Sequence, residues 1–300
     1  MKAINHFRSY YEAAARQRME GLLDRGSFHE FLPPTEKRTS PHLALFNVPP
    51  AFDDGVVIGK GEFGGKFVFA FAQEGKFLGG ALGEIHGAKI TGLLKRALAE
   101  KPAAVLALLD SGGVRLQEAN AGEIAVSEII RAMLDVRAAG IPVIGIIGGM
   151  CGCFGGAGII SGCCSRLVVS AGARIGVSGP EVIEATSGVE AFDSRDRARV
   201  WRTTGGVNRY LFGIADRIVE DDIMAFRSAA MELMKENAGH TVEAAEHELA
   251  ELEDRISKFA GCRDGRDVWQ RMGIEDAGNI SEMHADEIIL LRKNLGRKRP

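Results

Sequence analysis

Apolar residues in the middle of this chain come in short unbroken runs, each stopped by glycine. Ala103 to Leu109 runs into Asp110 and Ser111-Gly112-Gly113, and Val143 to Ile147 runs into Gly148-Gly149. Runs this short, without polar alternation, fit strands buried on both faces of a parallel sheet. Between and after them the period changes to that of a helix. From Glu123 to Ala139, Ile124, Ser127, Ile130, Leu134 and Arg137 fall near one stripe, which Ile129, Met133 and Val136 widen, and Gly140-Ile141-Pro142 ends it. A second, small-residue helix is expected from Ala157 to about Cys164. Strand, glycine turn and helix thus occur twice.

The flanks read in the same way. A helix is predicted from Ser9 to Leu23, with Tyr10, Ala14, Met19, Leu22 and Leu23 near one face and a stop at Gly26. Pro33-Pro34, Pro41 and Pro49-Pro50 then predict an irregular connection. Strands are expected at Gly55–Ile58, Lys66–Ala72 and Gly75–Leu78, and a helix from His86 to Glu100 ended by Pro102. Further on come strands at Arg166–Ser170 and Arg174–Val177, and a helix opened by Gly179-Pro180. From Asp221 the chain is charged and helical, punctuated by Gly239, Gly261, Gly265 and Gly278. The division expected is an N-terminal helix and connection over 1–50, an α/β core over 51–235, and a helical extension over 236–300 that packs on the core or a partner.

Composition narrows the function classes. A net charge of -3 supplies no field for a phosphate backbone, which argues against nucleic acid. The 38 glycines follow no repeat. No charge occurs from Ala138 to Ser165, but Pro142 and nine glycines within that stretch argue against a membrane helix. No apolar signal segment follows the N-terminus, so a cytoplasmic location is expected. The five cysteines, Cys151 and Cys153 among them, lack paired C-x-x-C spacing, so free thiols rather than a metal site are expected.

The candidate chemistry lies in the two glycine turns, Ser111-Gly112-Gly113-Val114-Arg115 and Gly148 through Ala157. Glycine lets a ligand approach a main-chain amide closely, and a helix N-terminus leaves N–H groups unpaired and electropositive. Strand ends of an open α/β sheet share one edge, so both turns should face one cleft. Backbone donors so placed suit a reaction that builds negative charge on a carbonyl oxygen. Gly112 and Gly113 are the first candidate oxyanion hole; Gly155 and Gly156, with the amide of Ala157, are the second. Ser111, Gly79 and Gly80 are candidates for substrate contact, although a hairpin turn also explains Gly79-Gly80. Arg115 and Glu118 are expected to pair and fix the first turn. His86 is tempting as a proton donor, but a core histidine explains it better. Glu181 and Glu184 fit a helix N-terminus without further function. The basic end, Arg292, Lys293, Arg297, Lys298 and Arg299, would suit docking of an acidic carrier, although most such runs are solvated tails.

Several stretches carry a resemblance: Ala15-Arg16-Gln17-Arg18, Leu22-Leu23-Asp24-Arg25-Gly26-Ser27-Phe28, Asp54-Gly55-Val56-Val57, Phe71-Ala72-Gln73, Leu78-Gly79-Gly80 through Gly87, Asp110 through Glu118, and Gly179-Pro180-Glu181-Val182-Ile183-Glu184. Over roughly residues 15 to 225 the chain resembles the carboxyltransferase family of the crotonase superfamily, and most of all its biotin-independent malonate decarboxylase beta subunits. The resemblance implies a crotonase-like fold with stacked sheets, flanking helices and a helical C-terminal tail. It implies a subunit that, with a gamma subunit, decarboxylates malonyl-S-acyl-carrier-protein to the acetyl thioester. Further expected partners are the acyl carrier protein and its transferase subunit. No cofactor is implied on this chain itself; the prosthetic arm, of the phosphopantetheine type and derived from dephospho-CoA, belongs to the carrier. A relative, the acetyl-CoA carboxylase beta subunit, has a four-cysteine zinc ribbon, whereas no cysteine precedes Cys151 here. Transfer of carboxyl to biotin and a non-catalytic scaffold role are the alternatives.

Overall fold

The computed structural model describes residues 8–236 and 241–296. Its frame is a seven-stranded sheet in the order β1 to β7: β1 (His29–Phe31), β2 (Val56–Phe63), β3 (Lys66–Gln73), β4 (Val105–Leu109), β5 (Val143–Ile147), β6 (Arg166–Ser170) and β7 (Arg217–Val219). The first three strands pair antiparallel and the remainder parallel. Helices are α1 (Ala15–Leu22), α2 (Glu84–Glu100), α3 (Asn120–Ala138), α4 (Gly156–Gly162), α5 (Pro180–Ser187), α6 (Arg197–Thr204), α7 (Gly206–Leu211), α8 (Ile223–Leu233), α9 (Val242–Lys258), α10 (Gly265–Arg271) and α11 (Ala285–Asn294).

The strand pleat divides the core in two. Val105, Ala107 and Leu109 of β4 join the cluster that includes α2, α3, α7, α10 and α11, while Leu106 and Leu108 join the cluster under α1 and α8. Every residue of β4 and β5 is buried, as their unbroken apolar runs require. The uncharged stretch 138–165 is therefore a core strand, a turn and α4, and no helix among the described residues is long and apolar enough to cross a membrane. The C-terminal helices pack on the core: Trp269 of α10 is buried and donates to Asn208 Oδ1 at 3.0 Å.

Several expectations change. The N-terminal helix starts at Ala15 rather than Ser9, because Arg18 takes the carbonyls of Tyr10 (2.9 Å) and Tyr11 (3.2 Å) that a longer helix would use. Gly75–Leu78 is not a strand; it leads into a 3-10 turn at Leu78–Gly80. β1 was not foreseen, and it fits because a side chain on Gly59 would collide with the His29 carbonyl at 2.4 Å. In α3 the buried stripe is Ala125, Val126, Ile129, Ala132, Met133 and Val136, whereas Ile124 stays exposed. Arg174–Val177 forms only single bridges. A second layer beside the main sheet consists of such bridges: Leu82 to Val114, Ser111 to Cys153, Cys153 to Ile175, and Arg174 to Gly205. Gly239 and the basic residues Arg297, Lys298 and Arg299 lie outside the described residues.

Candidate active site

The second layer brings the two glycine turns side by side. Ser111 N–H donates to the Gly152 carbonyl at 2.7 Å, and Phe154 N–H donates to the Ser111 carbonyl at 2.8 Å. Their tips nearly touch: a methyl group on Gly155 would lie 3.0 Å from the Gly113 Cα. Glycine at both tips is what permits this approach.

Most of the expected donors are engaged within the fold. Gly112 N–H donates to the Gly79 carbonyl (2.8 Å), Gly155 N–H to Val177 (3.0 Å) and Ala157 N–H to Phe154 (3.2 Å). Gly113 N–H donates to the Ser111 hydroxyl at 3.1 Å. Of the amides expected, only that of Gly156 has no acceptor among the described residues, and the Val114 amide, which was not expected, joins it. Peptide planarity orients both. In a trans peptide C=O and N–H point in opposite directions. The Gly113 carbonyl accepts from Leu82 N–H (2.8 Å), so Val114 N–H points away from Leu82, toward the second turn. The Gly155 carbonyl accepts from Ile159 (3.2 Å), so Gly156 N–H points out of the start of α4. Both residues are half-buried.

Gly79 and Gly80 brace the first turn rather than form a hairpin. Gly79 supplies the acceptor for Gly112, and a methyl group on Gly80 would sit 1.8 Å from the Asp110 carbonyl. Ser111 is fully buried, its hydroxyl spent on the turn, so its side chain is structural.

Under the turns runs a chain of buried polar groups. Arg115 donates to Asp54 (2.8 Å), to Glu118 (2.9 Å) and to the carbonyls of Ala81 (3.0 Å) and Asp54 (2.8 Å). The expected Arg115–Glu118 pair thus holds, with Asp54 as an unforeseen third member. Asp54 also accepts from His86 N–H at 2.9 Å, while its carbonyl lies 3.2 Å from His86 Nδ1. A carbonyl only accepts, so Nδ1 carries the proton and Nε2 accepts from the Gln73 amide at 3.2 Å. Gln73 Oε1 then accepts from Asp110 N–H at 3.1 Å, and the Asp110 carboxylate binds Arg18 (2.8 Å) and Cys151 N–H (2.8 Å).

Burial decides the protonation states. It raises the Asp54 and Asp110 carboxyls, against the pull of Arg115 and Arg18 respectively. At Glu118 burial is outweighed by the Glu84 N–H and Arg115, and the net shift is downward. His86 is fully buried and held well below its ordinary value, so it is a neutral core histidine and no proton donor. Burial pushes the Cys151 thiol up to about 11 and Cys164 up to about 12, which removes both as nucleophiles at neutral pH. Glu184 accepts from Ser194 N–H (2.8 Å), and Glu181 stays exposed at the start of α5. Arg292 is buried, stacks 4.4 Å from the Tyr210 ring and donates to the Ala215 carbonyl, which takes it out of the basic end.

Arg18, Asp54, Gln73 and Asp110 were not read as site residues. Their signal is that each stands in a stretch that carries the resemblance: Arg18 in Ala15–Arg18, Asp54 in Asp54–Val57, Gln73 in Phe71–Gln73 and Asp110 in Asp110–Glu118.

A carboxyl transferase domain model matches residues 11–264. The chain belongs to the carboxyl transferase domain family. Malonyl-S-ACP:biotin-protein carboxyltransferase of Malonomonas rubra is 35% identical over 308 residues, covering 96% of each chain. A chain of the Pseudomonas malonate decarboxylase hetero-tetramer, solved with malonate, is 38% identical with a TM-score of 0.82, covering 88% of this chain and 97% of that one. Transcarboxylase 12S is 26% identical with a TM-score of 0.61, covering 74% of this chain and 41% of that one. The fold is thus the crotonase-like one of carboxyltransferases, and the chain stands among enzymes of carboxyl transfer and malonate decarboxylation, with heteromeric relatives.

Proposed function

We propose that the chain is the beta subunit of a malonate decarboxylase and that, with a gamma subunit, it decarboxylates malonyl-S-acyl-carrier-protein. The observation that carries the reading is the pair of unpartnered main-chain amides, Val114 and Gly156, on two glycine turns that touch at Gly113 and Gly155. Decarboxylation breaks the bond between the carboxylate carbon and the α-carbon. Its electron pair spreads onto the thioester oxygen as carbon dioxide leaves, and protonation at the α-carbon gives the acetyl thioester. Two backbone donors aimed at that oxygen stabilise the enolate without a side-chain nucleophile. The oxyanion role first assigned to Gly112, Gly113 and Gly155 passes to Val114 and Gly156, and the named glycines shape the turns.

Leu116, Ile124, Ile159 and Val177 are exposed apolar side chains around the two turns. They suit a second subunit that closes the site over the carrier's pantetheine-type arm. The test uses the chain reconstituted with its partner subunit and malonyl-S-carrier. Gly112 has room for a Cβ, whose nearest neighbour would be the Gly79 carbonyl at 3.7 Å. Gly112→Leu puts an exposed side chain two residues before the Val114 donor, so it should fold and assemble yet lose turnover by crowding the thioester; full turnover would count against the turns as the reacting site and favour the scaffold role. A second reading, carboxyl transfer to biotin, rests on the printed activity of the Malonomonas rubra relative. Inhibition by avidin would select it.

A further inference from the structure

The helix α9 is built inside out. Val242, Ala245, Leu249, Leu252 and Ile256 recur at alternating steps of three and four, the seam of a coiled coil. No residue of α9 is buried, and Val242, Leu249, Leu252 and Ile256 are 70%, 57%, 44% and 76% exposed. The opposite, polar face turns to the fold: Glu251, Asp254, Arg255 and Lys258 line a cleft of about 480 Å³ that Phe212 and Arg292 close from the core. A helix that packs only on its own domain turns its apolar stripe inward. This one presents it outward over roughly 21 Å, from the rise per residue of a helix.

Charge along the seam selects the occupant. Glu246 and Glu253, both exposed, flank one side, and Glu248 and Arg255 flank the other. Over the whole helix six carboxylates stand against two cations. In a second copy laid antiparallel, Glu246 would face Glu253; laid parallel, Glu253 would face Glu248. An antiparallel copy would also set Glu248 against Arg255, so charge gives self-pairing no net gain, whereas a helix with basic flanks would meet three carboxylates, Glu246, Glu248 and Glu253, against the single Arg255.

We propose that the outward seam of α9 docks an amphipathic helix with basic flanks carried by another subunit of the assembly. This rests on the heteromeric reading above and adds a contact remote in sequence from the two glycine turns. A seam of this length pairs weakly alone, so it adds to a larger interface rather than creating one.

The test uses the chain purified alone and as the complex with its native partner subunits. Amide exchange over 242–258 should slow about tenfold or more in the complex. Leu249→Lys with Ile256→Lys should weaken subunit association about tenfold or more, as expected for the loss of two apolar contacts. Glu246→Lys with Glu253→Lys should weaken it too, and more so at low salt. Unchanged exchange in the complex, tighter association of the Glu→Lys variant, or a dimer of the chain alone that Leu249→Lys with Ile256→Lys splits would each overturn the proposal. The functional reading fails separately, as an intact wild-type complex without turnover.

Discussion

Beneath the first glycine turn one buried cation, Arg115, serves two carboxylates, Asp54 and Glu118; beneath the second, Arg18 and Asp110 pair one to one. In the first cluster two carboxylates thus share one guanidinium, and in the second each charge has its own partner. His86 and Gln73 join them through hydrogen bonds that need the histidine uncharged. The difference teaches what each turn requires. The first turn must hold a backbone path that Gly79 and Leu82 clamp on one side, and Arg115 anchors that clamp through the Ala81 carbonyl. In the second the buried carboxylate itself, Asp110, holds the Cys151 N–H, and that carboxylate fits only because Gly149 has no side chain. In both turns the tip glycines mark where backbone passes backbone, and the unpartnered N–H emerges at the next position along the chain.

Substitutions should expose this asymmetry. Arg115→Met leaves two buried carboxylates without their cation and should cost about 3–5 kcal/mol or more. Those carboxylates then bind protons more tightly folded than unfolded, so the deficit against wild type should grow from pH 5 to pH 8 in urea unfolding. Asp110→Asn strands Arg18, also at about 3–5 kcal/mol, but it removes a carboxyl that burial already raises in the wild type, so its deficit should not grow over that range. Equal pH dependence in the two variants would break the comparison.

Lys89 sits on the side of the first cluster, donating to the carbonyls of Asp53 (2.7 Å) and Val56 (2.6 Å). Burial lowers its pKa from 10.5 to about 8. Between these values the unfolded chain binds more protons than the folded one, so stability should rise with pH through that window. By linkage the rise amounts to about 3 kcal/mol. Lys89→Met should abolish that slope, whatever it does to the absolute stability.

Gln73→Leu removes the joint and leaves Asp110 N–H and His86 Nε2 without partners, at about 1–3 kcal/mol. The smallest effect belongs to Gly112→Ala, within about 0.5 kcal/mol, because a Cβ there meets only ordinary contacts. Gly80→Ala, by contrast, drives a methyl group into the Asp110 carbonyl and should unfold the turn.

The sheet centre and its helices were legible because β4, β5, α2 and α3 carry long unmixed patterns with clear stops. The convergence of the turns followed from sheet topology. What was hidden depends on tertiary partners. Glycine composition cannot show that Gly112, Gly113 and Gly155 spend their amides on Gly79, Ser111 and Val177, residues that meet them through the second layer. Nor does helical spacing in α3 reveal which of two overlapping apolar stripes faces the sheet; Ile129, Met133 and Val136 won over Ile124. The polar chain from Arg18 to Glu118 joins residues from six separate stretches, and only Arg115 and Glu118 lie close enough in sequence to be paired by spacing.

The proposed function rests on Val114 and Gly156, and not the glycines before them, presenting the working amides. Replacing one peptide N–H by an ester oxygen tests this at single positions in the assembled enzyme. Ester substitution at Val114 or at Gly156 should lower kcat about 10²–10³-fold with little change in KM, the usual loss for one oxyanion donor. The same change at Gly112 should affect stability more than chemistry. A Gly112 ester that abolishes turnover while the Val114 and Gly156 esters retain it would contradict the account.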